Sequence, residues 1–381
     1  MCAVARTASS HAASTAPRAR PNVRSKRDVV ARASKRAATE LCHVDARVIV
    51  FSCHSYEKST LEAALPNSTF VSARLQLDTV PLARDHDAVC VFVDDDVGTD
   101  VVDALADAGV KLILLRCAGF DNVDVDRANA RGVTVCRVPA YDPLSIAEHA
   151  VGMMLSLNRR LGPSRDRLRV GNYTLDGLVG QSLKGKTIGI VGTGKIGRAV
   201  AKICKHGFQM EVLGYDLFDK EAFCGEFCSS IEDVLARSDF VSVHVPLTDG
   251  TRGMFNAETL AKMKTGAMLI NTSRGALVDA RACIDALYSG QLGALAMDVY
   301  EKEKELFFRD FSTLDIRSRM LVWDENMAIL SSLPQVLITP HSAFLTHEAL
   351  AEIASTTAEN LRAYCAAEPL ANRVSSTPKR R

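Results

Sequence analysis

An α/β fold with two parallel-sheet domains is predicted by three features of this 381-residue sequence. From Arg47 onward, short runs rich in Val, Ile and Leu alternate with segments of helical period. The alternation runs through two successive series. A Gly-x-Gly-x-x-Gly follows the first apolar run of the second series. Strands buried on both faces read as near-continuous apolar runs, and strands alternating with helices build parallel βαβ units.

The first series places strands at Arg47–Phe51, Ala88–Val93, Lys111–Leu115 and Val133–Val138, with a helix such as Thr99–Ala108 between them. A long helix is expected from Asp142-Pro143. Asp suits the N-cap, and Pro suits the first helical position, where a backbone N–H has no partner to lose. Ile146, Ala150, Val151, Met154 and Leu157 continue it as an apolar stripe of period 3.6. Its length suits a bridge between two domains. The second series gives strands at Thr187–Val191, Glu211–Tyr215, Phe240–Val245, Ala267–Asn271, Ala294–Val299 and Val336–Thr339.

Composition excludes several classes. At 47% hydrophobic and 24% charged residues, the chain is not broadly disordered, collagenous or coiled-coil. No apolar run approaches the ~18 residues of a membrane span. A net charge of +1 lacks the basic excess typical of nucleic-acid binding. That charge is unevenly spread: residues 1–40 hold nine basic residues against Asp28 and Glu40, a net +7 that leaves −6 on the rest. Rich in Ala, Ser and Arg and without an apolar core, residues 1–45 read as an organellar transit peptide, disordered outside the fold. Plastid is favoured over mitochondrion, with cleavage between Arg32 and Thr39. The eleven cysteines lie singly, with no Cys-x-x-Cys pair and no Cys/His spacing for zinc. They read as small buried hydrophobes in a reducing compartment, and no metal site is expected.

Lys186-Thr-Ile-Gly-Ile-Val-Gly192-Thr-Gly194-Lys195-Ile196-Gly197 has the strand before it and the helical run after it that a dinucleotide-binding turn requires. Gly192 permits the tight turn, Gly194 the approach of a pyrophosphate, and Gly197 close helix–strand packing. The helix N-terminus then faces the phosphates. Asp216 ends the next strand, where a carboxylate accepts from a ribose 2′-hydroxyl and repels a 2′-phosphate. The cofactor expected is therefore NAD, not NADP.

Further segments resemble the D-2-hydroxyacid dehydrogenase family. They are Arg116-Cys-Ala118-Gly119-Phe-Asp-Asn-Val-Asp124, Val138-Pro-Ala-Tyr141-Asp-Pro, Asn271-Thr272-Ser273-Arg274-Gly-Ala, Met297-Asp298-Val-Tyr-Glu-Lys-Glu303 and Thr339-Pro-His341-Ser-Ala-Phe344. The likeness runs from about Arg47 to Leu370, and within the family it is strongest to the fermentative D-lactate dehydrogenases. It implies two Rossmann- or flavodoxin-like domains with the active site in the cleft between them. The substrate domain is expected from 46–141 plus 341–375, and the NAD domain from 142–340. The long stretch from Glu303 to His341, with Leu306-Phe-Phe, suits the lactate branch better than the glycerate and phosphoglycerate branches.

The resemblance implies NAD-dependent reduction of pyruvate to D-lactate. Arg274 would hold the substrate carboxylate and carbonyl, a task its planar, permanently charged fork suits. His341 would be the general acid, oriented by Glu303. Ala118 and Gly119 would offer backbone N–H groups to the carboxylate, and Tyr141 and Phe344 would wall the pocket. Val245, Pro246, Thr272, Ser273, Arg274 and Asp298 would line the cofactor site, with Asp298 at the nicotinamide edge. A homodimer or homotetramer is expected, without nucleic-acid or membrane partners.

Each residue has a plainer reading. Arg274 could make a surface ion pair. Glu303 lies in the charged run Glu301–Glu305, and such runs are usually solvated, with Glu301 as a competitor in register. His149 and His244 rival His341. The activity also has rivals: reduction of hydroxypyruvate, glyoxylate or another 2-keto acid, or a non-catalytic, NAD-responsive corepressor-like scaffold on the same fold. Formate dehydrogenases, which carry an amide beside the histidine, are disfavoured by Glu303.

Overall fold

The computed structural model describes residues 46–218, 223–322 and 324–375. The segment expected to be a transit peptide lies outside the described residues. Among these residues no helix is long and apolar enough to cross a membrane.

Five strands form the first sheet: β1 (Val48–Val50), β2 (Thr69–Phe70), β3 (Ala88–Val91), β4 (Leu112–Leu115) and β5 (Thr134–Arg137). All pair in parallel, in the order β2-β1-β3-β4-β5. This is the flavodoxin-like order. Ile49, Phe51, Val89, Val91, Ile113, Leu115 and Val135 share one core, as alternate positions on neighbouring strands must.

The second sheet contains β6 (Thr187–Val191), β7 (Glu211–Tyr215), β8 (Glu226–Phe227), β9 (Phe240–Val243), β10 (Ala267–Asn271), β11 (Leu292–Met297) and β12 (Val336–Ile338). Their order is β12-β11-β10-β9-β6-β7-β8, again all parallel. Both faces are covered. Ile188, Ile190, Val212, Met268 and Ile270 pack with Ala147, Ala150, Met154 and Leu157 of the long helix. Val191, Leu213, Val241, Val243, Leu269 and Leu295 face the other way. The two series of expected strands agree with these elements to within a few residues. The additional strands, β2 and β8, are two-residue edge pairings.

The long helix spans Pro143–Asn158, with Asp142 as its N-cap accepting from the Leu144 N–H at 3.3 Å. It carries the chain from the first sheet onto the second. A second crossing follows β12, where helix His347–Cys365, capped by Thr346, packs on β4, β5 and helix Ser55–Ala64. The crossings are bonded to each other: the Ser145 and Thr346 hydroxyls lie 2.8 Å apart, and the Asp142 N–H donates to Glu352 at 2.8 Å. Beyond the helix, the Val374 N–H donates to the Val135 carbonyl at 2.8 Å, returning the chain to the edge of β5.

Beneath the carboxyl ends of the first sheet lies a buried ion pair. Arg116 is only 1% exposed. It donates to both Glu57 carboxylate oxygens, at 3.1 and 3.0 Å, and to the Ser52 carbonyl at 2.8 Å. Its guanidinium also lies 4.8 Å from the Phe92 ring centre. The Ser52 hydroxyl donates to Asp95 at 2.7 Å, and Asp95 also accepts the Leu75 and Phe92 N–H groups. The ends of β1, β3 and β4 are thereby tied together. Removing one partner of such a pair strands a buried charge. Arg116→Met or Glu57→Gln alone is expected to destabilise the fold by about 3–5 kcal/mol in urea denaturation, whereas the double variant Arg116→Met/Glu57→Leu recovers most of that loss. Equal losses for single and double variants would contradict this account.

Candidate active site

In open parallel sheets, ligands sit beyond the carboxyl ends of the strands, where the strand order reverses. In the second sheet that point lies between β6 and β9. Gly192 leaves β6 with φ +98°, and a Cβ there would lie 2.6 Å from the His244 carbonyl carbon. Only glycine fits so close to the neighbouring strand end. Gly197 is pressed as closely onto the turn: a Cβ at this position would fall 2.0 Å from the Gly192 oxygen. Gly194 is the opposite case. It caps helix Lys195–Lys202, and a Cβ there would meet nothing within 4 Å. Lys195 and Ile196 form the first turn of that helix. Open space at a helix N-terminus is what an anionic pyrophosphate needs.

Asp216 follows β7, accepting the Thr193 N–H at 2.7 Å and the Phe218 N–H at 3.0 Å. Val245 and Pro246 follow β9, and the Ser273 hydroxyl donates to the Val245 carbonyl at 2.6 Å, joining the ends of β9 and β10. Beside it, the Thr272 hydroxyl is buried without a hydrogen-bond partner. Buried polar atoms are rarely left so, and a ligand is one way to satisfy them. An open phosphate cradle, a carboxylate at the ribose position and an orphaned hydroxyl together fit a dinucleotide.

Arg274 comes from the end of β10. The Asn271 side chain braces its turn, donating to the Arg274 carbonyl at 2.9 Å and accepting the Ser273 N–H at 3.0 Å. The Arg274 Nε donates across the cleft to Asp121 at 3.1 Å, and Nη1 donates to the Ser273 carbonyl at 2.9 Å. Nη2 lies against Gly119, where a Cβ would come within 1.8 Å of it. Burial works against the guanidinium charge, but Asp121, together with Tyr141 and Cys117, holds the Arg274 pKa above its ordinary value.

Asp298 and His341 come from the ends of β11 and β12. The Asp298 side chain is 1% exposed. Its carboxylate accepts the Ser342 and Ala343 N–H groups, each at 2.9 Å, and the Thr339 hydroxyl. Burial would raise its pKa, yet bonds from His149 and Thr339 hold it below the usual carboxylate range. Its carbonyl accepts the His341 N–H at 2.7 Å. His341 adopts φ +54° at the centre of this loop. Its Nδ1 lies 3.0 Å from Glu303 Oε1, so Nδ1–H donates to the carboxylate. Glu303 Oε2 accepts the Tyr300 N–H at 3.1 Å. Glu303, not the exposed Glu301, therefore contacts the histidine.

The rival histidines are engaged elsewhere. His149 Nε2 lies 3.0 Å from the Thr339 hydroxyl and 3.4 Å from Asp298. His244 Nε2 lies 2.8 Å from the Ser242 hydroxyl, and burial pushes its pKa down to about 4, leaving it neutral near pH 7.

One cleft joins the two sheets' carboxyl ends. Arg274, His341, Cys117, Gly119, Tyr141 and Phe344 line it, with Phe92 and Arg116 beneath. The Tyr141 and Phe344 rings lie 6.2 Å apart, and burial raises the Tyr141 phenol to about 12, which keeps it neutral. The Ala118 carbonyl accepts from Arg137 at 2.7 Å, fixing that loop. Two lining groups have no signal of their own in the sequence. Phe92 is the residue after β3, and Asp121 lies inside the Arg116–Asp124 block.

Known proteins share this chain's sequence and fold. Residues 151–343 match the NAD binding domain of the D-isomer specific 2-hydroxyacid dehydrogenases. The chain is 46% identical over 324 residues to 2-hydroxyacid dehydrogenase A of Aspergillus oryzae, covering 83% of this chain and 91% of that protein. It is 42% identical over 321 residues to D-lactate dehydrogenase of Escherichia coli, covering 83% and 95%. A solved structure described as the pyruvate reductase of Chlamydomonas reinhardtii superposes with a TM-score of 0.81 at 46% identity, over 86% of this chain and 98% of that one. The chain belongs to the D-isomer specific 2-hydroxyacid dehydrogenase family of NAD-dependent oxidoreductases.

Proposed function

We propose that the chain is a D-lactate dehydrogenase, converting pyruvate, NADH and a proton into D-lactate and NAD. The observation that carries this reading is one small aromatic cleft holding Arg274 opposite a His341 paired to Glu303 at 3.0 Å. Residues 142–340 form the NAD-binding half in this reading, and 46–141 with 341–375 the substrate half. Gly192, Gly194, Lys195, Ile196 and Gly197 receive the pyrophosphate at the helix N-terminus. Asp216 accepts from the adenosine ribose. Val245, Pro246, Thr272, Ser273 and Asp298 border the nicotinamide end.

Bound NADH supplies the hydride. Arg274 holds the keto acid through its carboxylate and carbonyl oxygens, with the backbone of Ala118 and Gly119 on the other side. His341 Nε2 delivers a proton to the forming alkoxide, because Nδ1–H is committed to Glu303. Glu303 holds the ring in that orientation. Tyr141 and Phe344 exclude water around the substrate's short side chain.

The N-terminal segment is read as an organellar presequence, plastid before mitochondrion, on its basic, Ala- and Ser-rich composition. Self-association is read from Leu161, Leu168, Val170, Tyr173, Leu175 and Val179, large apolar side chains half or more exposed on one continuous segment. Large exposed apolar patches mark interaction sites, and this segment is the surface proposed for self-association.

A panel of 2-keto acids with NADH, scored for product chirality, tests the activity. Pyruvate is expected to lead and D-lactate to form, and L-lactate as product would refute the reading. His341→Ala is expected to lower kcat for pyruvate by about 10²–10⁴-fold, with NADH affinity retained in fluorescence titration. Near-full turnover would remove His341 from the acid role. Gly119→Ala should displace the Arg274 side chain and raise KM for pyruvate by about tenfold or more, a loss of one charge-assisted contact. An unchanged KM would contradict it. Light scattering should find Val170→Asp/Tyr173→Asp at a smaller mass than the parent chain; equal masses would place the interface elsewhere.

A further inference from the structure

Two of the three groups on the reacting carbon of a 2-keto acid have partners in the proposed reaction. Arg274 takes the carboxylate, and His341 takes the carbonyl oxygen. The third group, the side chain, must face the rest of the lining, where the rings of Phe92, Tyr141 and Phe344 stand beside Val93, Cys117 and Ile353. Phe92 and Phe344 have ring centres 6.1 Å apart. A further ring, from the second half of the molecule, packs against that wall.

Phe308 follows the short helix Glu303–Leu306, whose first residue is the partner of His341. The preceding Phe307 is buried in the core of the second sheet, and its N–H donates to the Glu303 carbonyl at 2.7 Å. With Phe307 anchored, the chain turns through φ +62° at Phe308. A bulky side chain rarely adopts that backbone, which persists where the surroundings impose it. The turn sends Phe308 across the cleft. Its ring centre lies 5.1 Å from Phe92 in an edge-on contact, 5.9 Å from His54 and 6.1 Å from His341. It packs both against the core of the second sheet and against the cluster of Phe92, Val138, Phe344, Leu350 and Ile353. Nearby, the Arg74 guanidinium donates to the Lys304 carbonyl at 3.5 Å, a second contact from the first half to this segment.

We propose that Phe308 is a specificity-determining residue: its ring, set between Phe92 and His341, caps the side-chain end of the cleft and confines the reaction to 2-keto acids with a small substituent. The proposal rests on the dehydrogenase reading above. Removing the ring would open space beside the aromatic wall while leaving Arg274, Glu303 and His341 in place. A hydrophobic pocket discriminates by about 10–200-fold for each methylene it admits or refuses.

The test uses the full chain with NADH and compares kcat/KM for pyruvate, 2-ketobutyrate, 2-ketoisocaproate and phenylpyruvate. For Phe308→Ala, the ratio of phenylpyruvate to pyruvate should rise at least about tenfold, mainly through a lower KM for the bulky substrate. Phe308→Leu should fall between the two, and Phe308→Tyr should restore the parent ratio. A uniform fall in kcat/KM across the panel would mean a structural role only and overturn the proposal. If Phe308→Ala does not fold, as judged by its thermal transition, the ratio in Phe308→Leu decides, and an unchanged ratio there overturns it equally. A parent chain that turns over none of the four acids would instead sink the dehydrogenase reading itself, and this proposal with it.

Discussion

The Asp298 carboxylate is taken out of water at the end of a central strand, and a charge in that position must be satisfied from within the protein. The structure answers by wrapping the 339–343 loop around it. Two backbone N–H groups and a threonine hydroxyl reach the carboxylate, and the carbonyl of the same residue takes the His341 N–H. The wrap imposes a left-handed backbone on His341. Such a conformation costs on the order of 1–3 kcal/mol. Each hydrogen bond to a charged group contributes about 1.5–3 kcal/mol, so three of them outweigh the strain. The position of the imidazole follows from that balance, and Glu303 needs only to set its rotation.

The first half of the molecule solves a similar problem with the opposite charge. Arg116 is buried under the cleft, and Glu57, the Ser52 carbonyl and the face of Phe92 surround it. The two anchors lie beneath the carboxyl ends of their respective sheets. Each holds several strand ends in register, so the loops above them start from fixed points. Arg274 lies between the halves, with its charge supported by Asp121 from the other side. The floor of the cleft is therefore anchored on both sides, and the segment that carries Glu303 and Phe308 is held to it through His341 and Phe92.

Much of this is legible in the sequence for a definite reason. Strands buried on both faces leave unbroken runs such as Thr187–Val191 and Leu112–Leu115, and Asp142-Pro143 carries its own capping chemistry. The glycine turn is legible because glycine is required twice within six residues for contacts under 3 Å. Arg274, Glu303 and His341 can be picked out only as members of blocks resembling a known family; charge patterning alone does not distinguish Glu301 from Glu303. What the sequence conceals is non-local. Strands β2 and β8 are two residues long, too short for any period to register. Glu57 and Arg116 are 59 residues apart, and Asp121 and Arg274 are 153 apart. In the sequence Phe308 is one member of an apolar triplet, and only the fold separates it from Phe307, which points into a core.

The paired crossings between the sheets carry a mechanical consequence. Because the Asp142 N–H is bonded to Glu352, and the Ser145 hydroxyl to that of Thr346, the two crossings are tied to each other at the helix starts. Bound side by side, they form one double connection in place of two separate ones. The seating of one sheet against the other thus rests on side-chain bonds as well as on the covalent chain.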